Sequence, residues 1–106
     1  MSIKEVDFKE AVEFAKGHST KLVWLGREPV DYIRELLGLD SSEMIEIDPN
    51  SLVYADREES ARFKDHVFVC YHGNTSRYVA NTLKDKFGVE SLSMKGGITA
   101  IVGEIF

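Results

Sequence analysis

The sequence predicts an α/β protein in which helices cover both faces of a mostly parallel sheet. Two observations support this fold class. Short apolar runs of strand length alternate along the chain with segments whose apolar residues recur every three or four positions, as they do on one face of a helix. Glycines and prolines separate these segments, where helices end and turns begin. Such alternation is typical of parallel strands that are joined by crossover helices.

The first helix and the first strand lie in the first quarter of the chain. Asp7 and Glu10 have the spacing of a capping box, apolar residues follow at helical spacing, and Gly17 is placed to end the helix. Residues 21–25 form a short apolar run. We therefore expect a helix from about residue 7 to residue 17, followed by a buried strand.

A second helix and a second strand follow. Pro29 suits the first turn of a helix, and Gly38 provides its end. Residues 44–47 then have the composition of a strand, and the sequence Asp48-Pro49-Asn50 is typical of a turn. We expect this turn to close the strand.

The second half of the chain repeats the pattern. Asp56 and Glu59 again have capping spacing and predict a short helix. Residues 66–70 form the third apolar run, and residues 76–87 have the clearest helical periodicity, with Gly88 after them. A last strand is predicted over residues 89–94, and a closing helix from about Ile98.

Composition limits the classes of protein to which the chain can belong. The 106 residues have room for one domain, which we assign to residues 1–106. Thirteen Lys and Arg against eighteen Asp and Glu give a net charge of −5, which argues against a nucleic-acid partner. No apolar run approaches the roughly 18 residues of a membrane span, and the N-terminus does not have the pattern of a signal peptide. With a single cysteine, no internal disulfide is possible, so we expect a cytoplasmic protein without a membrane partner.

Cys70 is the candidate nucleophile. It follows the apolar run Val67-Phe68-Val69 and precedes a short polar loop and a predicted helix. Backbone N–H groups and the positive end of a helix dipole favour thiolate over thiol at such a position. The N–H groups that could point at the sulfur belong to Tyr71, His72, Gly73, Asn74, Thr75 and Ser76.

Basic side chains are expected around the same loop. Arg77, Lys95 and Arg27 would form a cationic rim that binds a small anion. Lys95 follows the last strand as Cys70 follows the third, and parallel strands end at one edge of the sheet, where ligands bind. We therefore expect the two residues to face one pocket.

Alternatives without catalysis are open for several of these residues. A lone buried cysteine is more often a small core residue than a nucleophile. His72 is more often an ordinary loop residue than a general base, and His18 and His66, which flank strands, are assigned no chemistry. Three dispersed histidines and one cysteine do not have metal-ligand spacing, so neither a metal nor another cofactor is expected.

Several segments together resemble the rhodanese family, and most closely its short single-domain thiosulfate sulfurtransferases. They are Val-Phe-Val-Cys-Tyr-His-Gly-Asn-Thr-Ser-Arg at 67–77, Leu-Ser-Met-Lys-Gly-Gly-Ile at 92–98 and Arg-Glu-Pro-Val-Asp-Tyr at 27–32, with a looser match at 45–52. The resemblance implies a rhodanese-like domain with a five-stranded parallel sheet. It also implies that Cys70 carries sulfane sulfur as a persulfide, which the amides of residues 71–76 would hold.

The function expected from these features is sulfur transfer. Cys70 would take sulfur from a small anionic donor such as thiosulfate and pass it to cyanide or a thiol, in two half-reactions. A protein persulfide is a further candidate donor or acceptor.

Two other functions are open. A persulfide carrier or interaction domain is one, because Leu25, Thr75 and Ile101 differ from the family's usual residues. A cysteine-dependent phosphatase or arsenate reductase is the other, although the phosphatase signature requires arginine at the sixth position after cysteine. Ser76 occupies that position, and Arg77 comes one residue later.

Overall fold

The structure is a computed structural model that describes residues 4–17 and 21–103. Within these residues five strands alternate with six helices, which confirms the predicted α/β class. His18 lies outside the described residues. The strands are β1 (Lys4–Val6), β2 (Leu22–Trp24), β3 (Met44–Glu46), β4 (Val67–Val69) and β5 (Leu92–Met94). The helices are α1 (Phe8–Gly17), α2 (Val30–Leu37), α3 (Pro49–Val53), α4 (Arg57–Ala61), α5 (Asn74–Phe87) and α6 (Thr99–Val102).

The five strands form one sheet in the order β1-β5-β4-β2-β3. Every neighbouring pair is parallel, so the predicted mostly parallel sheet is parallel throughout. β4 is the central strand, and it pairs with β2 on one side and β5 on the other. Because all five strands run in the same direction, the segments that follow them meet at a single edge.

Helices pack on both faces of the sheet, each over its own apolar core. On one face Trp24 and Val69 pack with Ile33 of α2. On the other face Val23 and Phe68, their neighbours along the strands, pack with residues of α3 and α5 such as Leu52 and Leu83. The alternation follows from the two-residue period of a strand, and the short strands are accordingly buried along most of their length.

Local capping signals explain where several helices begin. The amide of Glu10 donates to Asp7 Oδ1 at 2.8 Å, and the amide of Asp7 donates to Glu10 Oε1 at 3.3 Å, which is a reciprocal capping box. Asp56 Oδ1 accepts from the amide of Glu59 at 2.9 Å and caps α4. Both predicted helix starts are therefore confirmed.

Four elements differ by more than one residue from the sequence-based expectation, and one of them is β5, which begins at Leu92 and not at the predicted residue 89. Residues 4–6, for which no strand is predicted from periodicity, form the edge strand β1, and only Val6 in it is buried. The predicted turn at Asp48-Pro49-Asn50 is the start of α3 instead, because Asp48 caps the helix by accepting from the amide of Asn50 and proline occupies the first helical position. α5 begins at Asn74, two residues before the predicted start. Within the described ranges, no helix has both the length and the apolarity needed to cross a bilayer.

Candidate active site

Cys70 lies at the carboxyl end of the central strand with its sulfur held by the loop that follows. Cys70 is buried, with 3% of its surface exposed. Its Sγ accepts hydrogen bonds from the amide of Gly73 at 3.1 Å and from the amide of Ser76 at 3.4 Å. Both amides belong to the start of α5, where N–H groups have no partner within the helix. Amides in this arrangement stabilise negative charge on the sulfur.

Gly73 produces the bend that brings these amides to the sulfur. Its φ of 92° lies in the left-handed region, and it is the residue immediately before α5. A β-carbon at this position would lie 3.1 Å from the amide nitrogen of Gly96. The glycine is therefore required both by the backbone conformation and by the close approach of the loop after β5.

Two buried hydroxyl groups lie beneath the sulfur. Ser76 Oγ is 3.5 Å from Cys70 Sγ and 2.6 Å from Ser93 Oγ, and both serines are fully buried. Ser76 Oγ also lies 3.2 Å from the carbonyl oxygen of Gly73, to which it can donate, and either serine can be the donor in the hydrogen bond between the two hydroxyls. The carbonyl of Gly73 has a second source of hydrogen bonds in Arg77. Ser76 can therefore turn its proton to the sulfur when Cys70 becomes a thiolate.

Gly96 and Gly97 connect β5 to the loop that follows Cys70, residues 71–73. A β-carbon on Gly97, whose φ is +60°, would overlap the carbonyl oxygens of Cys70 and Tyr71. These carbonyls accept hydrogen bonds from the amides of Ile98 at 3.0 Å and Thr99 at 3.1 Å. The two glycines thus let the chain run close enough to the loop to fix the backbone on which the sulfur stands.

Tyr71 connects the loop that follows Cys70 to the segment after β2. Its hydroxyl accepts from the amides of Arg27 at 2.9 Å and Glu28 at 3.1 Å. Its ring packs edge to face against Trp24 with centroids 5.1 Å apart, and the indole of Trp24 donates to the carbonyl of Glu28. Tyr71 therefore positions the backbone that carries Arg27.

A cavity of about 560 Å³ opens above the sulfur. Cys70, Tyr71 and Thr75 line one side of it, and the ends of β2 and β3 line the other. Among the lining residues, three side chains are ordinarily charged at neutral pH: Arg27, Glu46 and Asp48. The cavity is large enough for a small donor or the end of a peptide.

The structure brings some of the predicted site residues to this cavity and directs others elsewhere. In the part of the chain that the structure describes, Arg27, Tyr71 and Thr75 line the cavity, and Gly73 and Ser76 contact the sulfur. His72, Asn74, Arg77 and Lys95 are not among the residues that line it.

Each of these four residues has a different location. The guanidinium of Arg77 donates to the carbonyl of Gly73 at 3.2 Å and to Asn74 Oδ1 at 2.7 Å. His72 Nδ1 lies 3.3 Å from Thr99 Oγ1. The amide of Lys95 donates to the carbonyl of Val6 in β1 at 2.8 Å, and its side chain is exposed.

Several residues of the site were not predicted from the sequence. Glu46 and Asp48 line the cavity, and Ser93 supports Ser76 from the neighbouring strand. The first two follow the rule that identified Lys95, because they stand at the carboxyl end of a parallel strand. Nothing in the local pattern around Ser93 distinguishes it from Ser91. Within residues 4–17 and 21–103, no group of three or more His, Cys, Asp or Glu side chains is placed to hold a metal ion.

Comparisons with known proteins identify the fold. No family model and no curated protein matches the chain. Among solved structures, SSP1007 from Staphylococcus saprophyticus subsp. saprophyticus matches with a TM-score of 0.61 at 16% identity, over 97% of each chain. A rhodanese-related protein from Thermoplasma volcanium matches with a TM-score of 0.58 at 21% identity, over 97% of this chain and 94% of its own. The chain therefore has the fold of a rhodanese-related protein.

Proposed function

We propose that the protein is a sulfurtransferase that carries sulfane sulfur on Cys70 as a persulfide. The observation that carries the proposal is the position of Cys70 Sγ, which accepts from two amides at the start of α5 and lies at the base of an open cavity. A thiolate held in this way is both stabilised and within reach of a small molecule. The fold shared with a rhodanese-related protein supports the same reading.

The first half-reaction loads the enzyme. The Cys70 thiolate attacks the outer sulfur of a donor such as thiosulfate, a new S–S bond forms, and sulfite leaves with the electron pair of the broken S–S bond. Arg27 lines the cavity and supplies a cation for the anionic donor. The terminal sulfur of the resulting persulfide is anionic, and the N-terminal end of α5 provides a favourable potential for it.

The second half-reaction releases the sulfur. An acceptor nucleophile, cyanide or a thiolate, attacks the outer sulfur, and the electron pair of the Cys70 S–S bond returns to Sγ. The thiolate is then restored to the hydrogen bonds from Gly73 and Ser76. Dividing the transfer in this way is covalent catalysis and predicts ping-pong kinetics.

The same geometry argues against phosphate chemistry. Ser76 stands where a phosphatase loop has arginine, and it is fully buried with its amide on the sulfur. The guanidinium of Arg77 is bound to Gly73 and Asn74, and it is not among the residues that line the cavity in the described part of the chain. A tetrahedral phosphate at Cys70 would therefore lack the bidentate partner that this chemistry uses.

Intact mass spectrometry tests the proposal. Incubation with thiosulfate should add one sulfur atom to the protein, cyanide should remove it as thiocyanate, and Cys70→Ser should show neither change. Phosphatase activity that depends on Cys70, without any uptake of sulfur, would refute the proposal. Sulfur uptake from a protein persulfide without uptake from thiosulfate would identify a carrier instead.

A further inference from the structure

The part of the cavity lining that comes from the ends of β2 and β3 carries more acidic than basic side chains. Arg27 stands at the end of β2, and Glu46 and Asp48 stand at and just beyond the end of β3. With ordinary ionisation these three side chains carry one positive and two negative charges. The expected cations Arg77 and Lys95 are not among the residues that line this cavity in the described part of the chain.

The order of the strands sets the distance between the sulfur and the carboxylates. The amide of Leu25 donates to Val69 next to Cys70 at 2.9 Å, and the amide of Ile47 donates to Trp24 at 3.1 Å, so the strand ends remain paired at this edge. Neighbouring strands lie about 4.8 Å apart. The backbone of Glu46 and Asp48 is thus two strands, or about 10 Å, from that of Cys70.

The two carboxylates are available to a ligand. Glu46 is exposed, and within residues 4–17 and 21–103 it has no ion pair or side-chain hydrogen bond. Asp48 caps α3 through Oδ1, which accepts from the amide of Asn50 at 2.9 Å and fixes the carboxylate at the cavity wall. Arg27 does not form a salt bridge with either carboxylate. Asp48 is therefore held in place at the cavity, and neither carboxylate forms an ion pair within the described residues.

We infer that the sulfur acceptor is a cysteine thiol in a peptide or protein segment that places a basic side chain beside it. This inference rests on the proposed sulfur transfer. In the second half-reaction the acceptor thiolate attacks the outer sulfur of the Cys70 persulfide, an acceptor S–S bond forms, and Cys70 leaves as thiolate. Both reacting sulfurs are anionic, and Glu46 and Asp48 add to the repulsion. A neighbouring ammonium group offsets it, and a lysine side chain one residue from the cysteine has the required reach, because consecutive Cα atoms are about 3.8 Å apart and its stem has four carbons.

Three blocked dipeptides that differ in one side chain test the inference: Cys-Lys, Cys-Gln and Cys-Glu, each acetylated and amidated. Protein preloaded with sulfur from thiosulfate is mixed with each peptide, and loss of the persulfide is followed by mass. Each rate is divided by the rate of the same peptide with an uncharged disulfide, which corrects for differences in thiol ionisation. We expect Cys-Lys to react up to about fivefold faster than Cys-Gln, and Cys-Glu to react more slowly by a similar factor. The differences should shrink as salt is raised from 0.01 M to 1 M.

Charge-neutralising variants locate the effect. Glu46→Gln and Asp48→Asn should each reduce the difference in rate between the Cys-Lys and Cys-Glu peptides, which is the range of rates. Because asparagine also caps helices well, Asp48→Asn preserves α3. Glu13→Gln is the matched control, because it makes the same change in net charge at a residue that lines a different cavity. It should leave the range unchanged.

The outcomes separate the two proposals. Failure of Cys70 to take up sulfur from any donor would refute sulfur transfer and the acceptor inference with it. A persulfide that forms normally but reacts equally with all three peptides would overturn the acceptor inference alone. The same holds if Glu13→Gln compresses the range as much as Glu46→Gln does. If Asp48→Asn unfolds, Glu46→Gln decides the question, because Glu46 is exposed.

Discussion

Replacing Gly97 with alanine should displace the loop that follows Cys70, although Gly97 itself lies outside that loop. The residue has a φ of +60°, and an added β-carbon would overlap the carbonyl oxygens of Cys70 and Tyr71. Those carbonyls hold the chain after β5 through hydrogen bonds from Ile98 and Thr99. Relief of the overlap must therefore move the backbone of the proposed nucleophile or break these hydrogen bonds.

The magnitude follows from two separate contributions. A non-glycine residue in the left-handed region costs about 1–2 kcal/mol, and inserting a carbon into a closely packed site costs about 1–3 kcal/mol. Gly97→Ala should thus lower the free energy of unfolding by about 2–5 kcal/mol. Gly88→Ala is the control, because Gly88 has a φ of +67° but no neighbouring atom within 4 Å of its built β-carbon. It should show the first contribution alone, about 1–2 kcal/mol.

Urea unfolding measures the free energy of unfolding of both variants. Sulfur uptake from thiosulfate is then compared under conditions in which each protein is folded. Displacement of the Cys70 backbone should slow uptake by about tenfold to a hundredfold in Gly97→Ala, since misplacement of reacting groups by about 1 Å has effects of this size. Gly88→Ala should react at the normal rate. Equal loss of stability in the two variants, with normal sulfur uptake in both, would refute the contact between Gly97 and the loop as a determinant of the site.

Three further substitutions test the supports of the site. Ser93→Ala should cost about 0.5–1.5 kcal/mol of stability because Ser76 loses a hydrogen bond. Ser91→Ala should not destabilise, because the Ser91 hydroxyl is buried and has no hydrogen-bond partner within the described residues; urea unfolding compares the two variants. Tyr71→Phe should raise KM for thiosulfate severalfold in steady-state assays, because two amides lose their acceptor and the segment that carries Arg27 loosens. Arg27→Ala should weaken use of thiosulfate by about 1.5–3 kcal/mol if it removes a charge-assisted hydrogen bond. Kinetics that show a larger effect for Lys95→Ala than for Arg27→Ala would contradict the placement of the two side chains.

The loop around Cys70 could be predicted from sequence because its parts are contiguous. The apolar run, the glycine with positive φ and the start of α5 fall within a few residues, so local rules locate the sulfur and the amides around it. Ser93 could not be found in this way. Its role depends on β5 lying beside β4, which brings Ser93 next to Ser76, whereas Ser91 precedes the strand.

The position of Lys95 depends on the strand next to β5 as well as on the end of β5 itself. The strand ends do meet at one edge, but β5 lies between β4 and β1, and the amide of Lys95 bonds to Val6 of β1. After Lys95, Gly96 and Gly97 lie against the loop that follows Cys70. The prediction that Lys95 and Cys70 face one pocket was made without β1, whose polar residues 4–5 do not have the pattern of a strand. Lys95 does not line the cavity in the described part of the chain, and its role toward a ligand stays a prediction.

The topology separates the proposed chemistry of the site from its proposed selectivity. Cys70 follows a strand that is paired on both sides, and the hydrogen bonds to its sulfur come from the loop and helix that continue the same segment. Glu46 ends the edge strand β3 and Asp48 caps α3, and in the described part of the chain neither residue forms a hydrogen bond with the sulfur. Substitutions at these two positions can therefore change which acceptor binds without disturbing the amides that hold the thiolate. Changes in Gly73, Ser76 or Gly97 cannot be separated from the chemistry in the same way, because each of these residues contacts the backbone or the sulfur of the proposed nucleophile.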